Sequence, residues 1–225
     1  MNNTVVEKKL IIYGPGCLAE ILLADDAKHH TLAPVCFTAD REFMRSDVFH
    51  GLPVIPFEDI VGVCPPSEYD MLVVCDRQNL RRRMEMYHKA KDCGYRLINY
   101  ISPEAHLEPG ITIGDNNLIF SGARLGHDGC LGSHNVIRQD TYIGHEFSIG
   151  DGNMISVHCT IGSMCHIGNC SYFGMSVTSR DHNSFGSECL VGMGSVVTKP
   201  VEEYATAYGV PAKTVSYHKE TGVIF

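Results

Sequence analysis

Positive charge is scarce in this chain: 18 lysines and arginines stand against 26 aspartates and glutamates in 225 residues, a formal net charge of −8. A nucleic-acid partner is therefore not expected, because phosphate binding needs a basic face. The densest basic run, Arg81-Arg82-Arg83, would scatter around a helix and reads as a solvated face. Long apolar runs are missing too. Nothing approaches the ~18 apolar residues that span a bilayer, and the opening MNNTVVEKK lacks the apolar stretch of a signal peptide. Membrane insertion is not expected and a cytoplasmic location is. The ten cysteines include no CxxC pair, so neither a zinc knuckle nor a redox motif is supported. Without an export signal they read as free thiols rather than a disulfide framework.

What is present falls into two halves. Over the first hundred residues, strand-like and helix-like segments alternate. Lys9–Tyr13 (KLIIY) reads as a buried strand, followed by the turn Gly14-Pro15-Gly16 and a helix to about His29. Residues 33–38 (APVCFT) and 71–75 (MLVVC) read as further strands. Residues 81–93 read as a helix capped by Gly94, and 97–100 as a short last strand. This alternation predicts a small parallel sheet with helices on its faces.

From Ile101 a period of six takes over. Every sixth residue from there to Val197 is apolar except Ser179, sixteen of seventeen positions with no slip of register. The following position is glycine at 114, 126, 132, 144, 150, 162, 168, 174, 186 and 192, and the fifth is often small, as at Ala123, Cys159, Cys165 and Cys189. Neither the helical nor the strand period generates such a lattice; it is a hexapeptide repeat, the signature of a parallel β-helix. One aliphatic per short strand fills the interior, and glycine permits the tight corner. The inward cysteines are accounted for by packing. The expected domains are 1–100 and 101–225.

The hexads and the segment 194–213 (GSVVTKPVEEYATAYGVPAK), above all its GVPAK end, resemble the hexapeptide-repeat acyltransferases. Within them the chain is most similar to the PglD/NeuD-type sugar acyltransferases. That likeness runs through KLIIYGPG, GLPVIPFEDI, DRQNLR and GYRLINYISPEAHLEP into the coils. The resemblance implies an α/β N-terminal Rossmann-like domain that holds a nucleotide-linked sugar, followed by an all-β left-handed parallel β-helix. It also implies acetyl-CoA as co-substrate in a groove between subunits of a homotrimer, no metal, and a place in glycan or lipopolysaccharide assembly.

Coils of eighteen residues put residues eighteen apart on one edge, so His127-Asp128 and His145-Glu146 should stack. By resemblance, residues 143–151 (IGHEFSIGD) carry the general base at His145 with Glu146 as its acidic helper. Histidine titrates near neutral pH and can take a proton from a sugar ammonium before its nitrogen attacks a thioester. A carboxylate on the other ring nitrogen would fix the tautomer, and backbone N–H groups would stabilise the oxyanion. Spacing alone also allows His145 to be an exposed corner residue. His127 would contact substrate, and His182 lies two coils beyond Glu146 on its file. His106, His134, His158 and His166 read as corner or face residues.

The resemblance further assigns Met154, Ser163, Gly174, Met175, Gly192, Met193 and Lys213 to the coenzyme, with Met154 standing where relatives often have histidine. It assigns Gly14, Gly16, Cys17, Leu18, Asp40 and Asp76 to the nucleotide-sugar. Gly14-Pro15-Gly16-Cys17-Leu18-Ala19 fits GxGxxA between a strand and a helix, where glycines allow a diphosphate close to the helix N-terminus; a tight structural turn fits equally. O-acetylation of a sugar hydroxyl and a non-catalytic nucleotide-sugar scaffold are the alternatives. A zinc enzyme of the γ-carbonic-anhydrase kind would need three convergent histidines, which the spacing does not supply.

Overall fold

The computed structural model describes residues 8–75 and 79–225. The chain divides into two compact units, one taking the residues to Asp76 with Met86–Ile98, the other Arg77–Glu85 with Asn99–Phe225.

The first unit is built on a six-stranded sheet. Its strands are β1 (Lys9–Tyr13), β2 (Pro34–Ala39), β3 (Val48–Phe49), β4 (Leu52–Pro56), β5 (Tyr69–Val73) and β6 (Arg96–Leu97), in the order β3-β4-β2-β1-β5-β6. All pairs are parallel except β3–β4. The central strand β1 is the most buried, with Ile11, Ile12 and Tyr13 fully covered, as its unbroken apolar run requires. Strand order reverses between β1 and β5, so the loops after these strands flank a topological switch point. Helix α1 (Cys17–Asp26) ends three residues before the expected His29. The Asp26 carboxylate accepts from the backbone N–H groups of Thr31 and Leu32 at 3.0 and 2.9 Å, turning the chain out of the helix. A one-turn helix, α2 (Ile60–Val63), precedes β5, and α3 (Leu80–Asp92) precedes β6.

In the second unit each strand from Tyr100 to Val197 is two residues long and pairs with strands eighteen residues away. Tyr100–Ile101, Leu118–Ile119, Val136–Ile137, Met154–Ile155, Tyr172–Phe173 and Leu190–Val191 form one parallel face. A second face runs from His106–Leu107 to Val196–Val197, and a third from Thr112–Ile113 to Ser184–Phe185. The chain thus climbs a three-sided parallel coil, with the hexad aliphatics as its continuous core. The segment expected as one strand at 97–100 is split between the units: Arg96–Leu97 pairs with β5, whereas Tyr100–Ile101 begins the coil. An antiparallel hairpin, Ala205–Gly209 with Ala212–Tyr217, closes the first face.

One inward file is polar throughout. Asn99, Asn117, Asn135, Asn153 and Ser171 each accept, through a side-chain oxygen, the backbone N–H of the residue eighteen positions on, at 2.7–3.1 Å. Burial of these groups is tolerable because each has its partner. Two other sites depart from expectation. Arg83 is buried, and Arg81 donates to Glu188 at 2.7 Å and to the carbonyls of Lys219 and Glu220, so only Arg82 belongs to a solvated face. For Arg81 the cause is the C-terminal segment, which returns to the start of α3 through the Asn79–Ile224 bridge. His134 is a corner residue but a buried one, bonded to Asn116 and to the Arg83 carbonyl. Cys159, Cys165 and Cys189 are buried as inward residues, and burial pushes the Cys189 thiol up to about 12. No helix among the described residues is long and apolar enough to cross a membrane.

Candidate active site

The corner between the second and third faces carries two vertical files. One is His127, His145, Ser163 and Asp181; the next is Asp128, Glu146, Met164 and His182. Coil contact there is set by glycine: a Cβ on Gly126 would lie 2.6 Å from the His145 nitrogen, and one on Gly144 would lie 2.5 Å from that of Ser163. Backbone bonds join the rungs, from Glu146 N–H to the His127 carbonyl and from Met164 N–H to that of His145, both 2.8 Å. Asp128 and Glu146 adopt φ of 56° and 52°, the left-handed conformation repeated at this hexad position around the coil.

Each histidine donates from Nδ1 to the carboxylate that follows it. His127 meets Asp128 at 2.9 Å and His145 meets Glu146 at 3.1 Å. The two imidazoles lie face to face, with centroids 4.9 Å apart and planes 3° from parallel. The His145 side chain is 36% exposed and Glu146 53%. A contact this open adds little to stability; its effect is to favour the tautomer with the proton on Nδ1 and Nε2 as the basic nitrogen. Ser163 stands directly above His145, and its N–H is already taken by the Asp181 carboxylate at 2.7 Å, so it is not a spare oxyanion donor. Spacing alone would have found Asp181, eighteen residues beyond Ser163.

Of the residues assigned to the coenzyme, Ser163 alone lies on this corner within one chain. Gly174, Met175, Gly192 and Met193 lie on the corner between the first and second faces, where Met193 is 71% exposed and Met175 45%. Met154 is half-buried on the first face between Val136 and Tyr172. Lys213 is exposed on the closing hairpin opposite Tyr208. Gly192 has a local reason to be glycine, because its Cβ would fall 1.8 Å from the Tyr208 ring.

In the first unit, Gly14, Gly16 and Cys17 follow β1, and Asp40 follows β2. Gly14 has φ +117°, and a Cβ there would lie 2.1 Å from the Val74 carbonyl oxygen, so the loops after β1 and β5 touch. The N-cap residue of α1, Gly16, has no side chain with which to cap the first turn. Cys17 is exposed, Leu18 is buried, and Asp76 lies outside the described residues. Asp40 is enclosed more than its position suggested. It accepts from the Tyr13 hydroxyl at 2.7 Å and pairs with Lys89, whose ammonium sits 4.4 Å from the Phe57 ring centroid. Tyr13 stacks on the same Phe57 ring. The sequence pattern gave no sign of Lys89 or Tyr13 here. Among the described residues no group of three or more His, Cys, Asp or Glu is arranged to hold a metal.

No family model and no curated protein matches the chain. Among solved structures it is similar to a mutant of GDP-perosamine N-acetyl transferase from Caulobacter crescentus, in complex with CoA and GDP-perosamine. That likeness has TM-score 0.83 and 21% identity, over 94% of this chain and 98% of that one. It is also similar to the acetyltransferase domain of PglB from Neisseria gonorrhoeae, in complex with acetyl coenzyme A, with TM-score 0.83, 22% identity, and coverage of 93% and 100%. WeeI from Acinetobacter baumannii follows at TM-score 0.58 and 18% identity, again over 93% of this chain. The chain therefore has, over nearly its whole length, the fold of these proteins.

Proposed function

We propose that the chain is an acetyl-CoA-dependent N-acetyltransferase acting on the amino group of a nucleotide-linked amino sugar, with His145 as general base. The observation that carries this reading is the exposed His145, tied through Nδ1 to Glu146 at 3.1 Å, on a fold shared with acetyltransferases. Acetyl-CoA supplies the thioester carbonyl as electrophile. Nε2 of His145 takes a proton from the sugar ammonium, freeing the nitrogen lone pair. The nitrogen then bonds to the carbonyl carbon, the C–S bond breaks as the nitrogen loses its second proton, and coenzyme A leaves as the thiol. Glu146 holds the Nδ1–H and offsets the charge of the imidazolium that forms.

Residues 1–100 are taken as a Rossmann-like nucleotide-sugar domain and 101–225 as a left-handed β-helix. In the first, Gly14, Gly16, Cys17, the backbone at Leu18, Asp40 and Asp76 would receive the nucleotide-sugar. In the second, Met154, Ser163, Gly174, Met175, Gly192, Met193 and Lys213 would receive the coenzyme. The exposed thioethers of Met175 and Met193 make an apolar ridge that fits an extended pantetheine arm. A Cβ on Gly174 would crowd the Met193 nitrogen at 2.6 Å, so Gly174 keeps the coils beneath that ridge in contact. Because this ridge and His145 occupy different corners of one coil, a complete site calls for a second copy. A cytoplasmic homotrimer serving glycan assembly is the arrangement proposed.

The test is a mass-spectrometric acetylation screen with acetyl-CoA and nucleotide-linked sugars with and without free amines, GDP-perosamine among them. One amino sugar should gain an acetyl group, His145→Ala should lower the rate about 1,000-fold, and light scattering of the same protein should give a trimer. Product on hydroxyls alone would replace N- by O-acetylation. Binding of both ligands with no turnover would leave a scaffold, and a monomer would remove the shared site.

A further inference from the structure

The motif Gly-His-acid occurs twice, at Gly126-His127-Asp128 and Gly144-His145-Glu146, one coil apart. Only one base is needed to take one proton, so the second copy asks for its own explanation. We infer that His127 is a positioning residue for His145, fixing the plane of its ring, and not a contact to the sugar. This rests on the reading of His145 as the general base.

The argument is geometric. Beyond its covalent link through Cβ, the His145 ring is held by the hydrogen bond from Nδ1 to Glu146, whose side chain is itself 53% exposed, so the two side-chain torsions can still turn the ring plane. The second constraint comes from below: the His127 ring lies 4.9 Å away and 3° from parallel. His127 is itself held by Asp128 at 2.9 Å. The two rungs keep their separation through the Glu146 N–H bond to the His127 carbonyl and through the close approach of Gly126 to the His145 nitrogen. Above His145 no flat partner exists on the file, because Ser163 is small and its N–H is committed to Asp181. The lower face of His145 is thus supported by an anchored ring, and its upper side opens toward Ser163. Aim matters because proton transfer needs Nε2 within hydrogen-bond reach of the amine, and a displacement of about 1 Å is costly.

Three variants separate positioning from direct contact: His127→Phe keeps a flat ring, His127→Gln keeps a polar side chain, and His127→Ala keeps neither. Positioning predicts that Ala and Gln lower kcat about tenfold with KM for both substrates within about twofold, while Phe stays within about threefold of the parent kcat. Normal kcat in Gln, with a raised sugar KM in Ala and Phe, would overturn the inference in favour of a substrate contact. A second readout needs no turnover. The Cε1 proton of His145 should show an upfield ring-current displacement in the parent and in His127→Phe that is lost in Ala and Gln. An identical Cε1 signal in all four proteins would sink the inference even if acetyl transfer occurs. Absence of transfer with the ring-current pattern intact would instead count against the transferase reading.

Discussion

In the coiled unit His127 meets His145, and Ser163 meets Asp181, because each pair is eighteen residues apart and every coil repeats the one below. In the sheet unit Asp40 meets Tyr13 and Lys89 across 27 and 49 residues, with no period in common. One unit assembles side chains by translation, the other by the crossing of strand ends and a helix. The difference has a physical basis. A solenoid contacts only its neighbouring repeats, so sequence distance maps directly onto height. In an open sheet the order of strands decides who meets whom, and that order follows from packing of the whole layer.

The comparison is broken most severely by emptying the coil. Ile155 is fully buried between Ile137 and Phe173 on the adjoining rungs. Ile155→Ala should cost about 3 kcal/mol, read as a lowered midpoint in urea unfolding followed by circular dichroism. A loss under about 1 kcal/mol would mean that adjoining coils collapse into the gap.

In the sheet unit the sensitive point is a loop. Gly14→Ala would force a Cβ against the Val74 carbonyl at φ +117° and should cost about 2 kcal/mol. Gly194→Ala is its control, since that residue has φ +68° but open space around its Cβ. It should cost about 1 kcal/mol, the left-handed penalty alone. Equal losses would show that the contact between the two loops relaxes freely.

A finer effect sharpens the reading of the corner. Glu146→Gln keeps an acceptor for the His145 Nδ1–H but removes the charge, and should lower acetyl transfer about tenfold, or about 1.4 kcal/mol in the barrier. A loss equal to that of His145→Ala would make the carboxylate more than an orienting group.

The coil was legible in the sequence because its period never slips: one apolar residue in six, broken at Ser179 and often followed by glycine, from Ile101 to Val197. The stack of His127 on His145 followed from counting. The plane of the rings and the capture of the Ser163 N–H by Asp181 did not follow, since they depend on side-chain torsions that no spacing encodes. The arginine run was misread for a related reason. Three arginines in a row look solvated until Arg81 meets Glu188 and the chain end, contacts made over more than a hundred residues. Lys89 escaped because α3 announces its buried stripe but not which strand end its exposed lysine will face. Separation of the coenzyme candidates onto another corner was implicit in their numbering. Met175 and Met193 are offset from the file of His145 by a number that is not a multiple of eighteen.

The asparagine file has a consequence of its own. An apolar spine with a period of six is the same on all three faces, so it cannot tell one face from the next. If six residues were extruded at any corner, every later coil would be rotated by one face and the spine would remain filled. The amides of Asn135 and Asn153, however, donate to the oxygens of Asn117 and Asn135 at 3.1 and 3.0 Å, on one face only. Rotation would part these couples and strand buried amides beside alanine and cysteine. Phe147 gives a second mark, since its ring occupies the space where a Cβ on Gly129 would lie. These few residues clock the coil, and with it the azimuth at which His145 leaves the molecule.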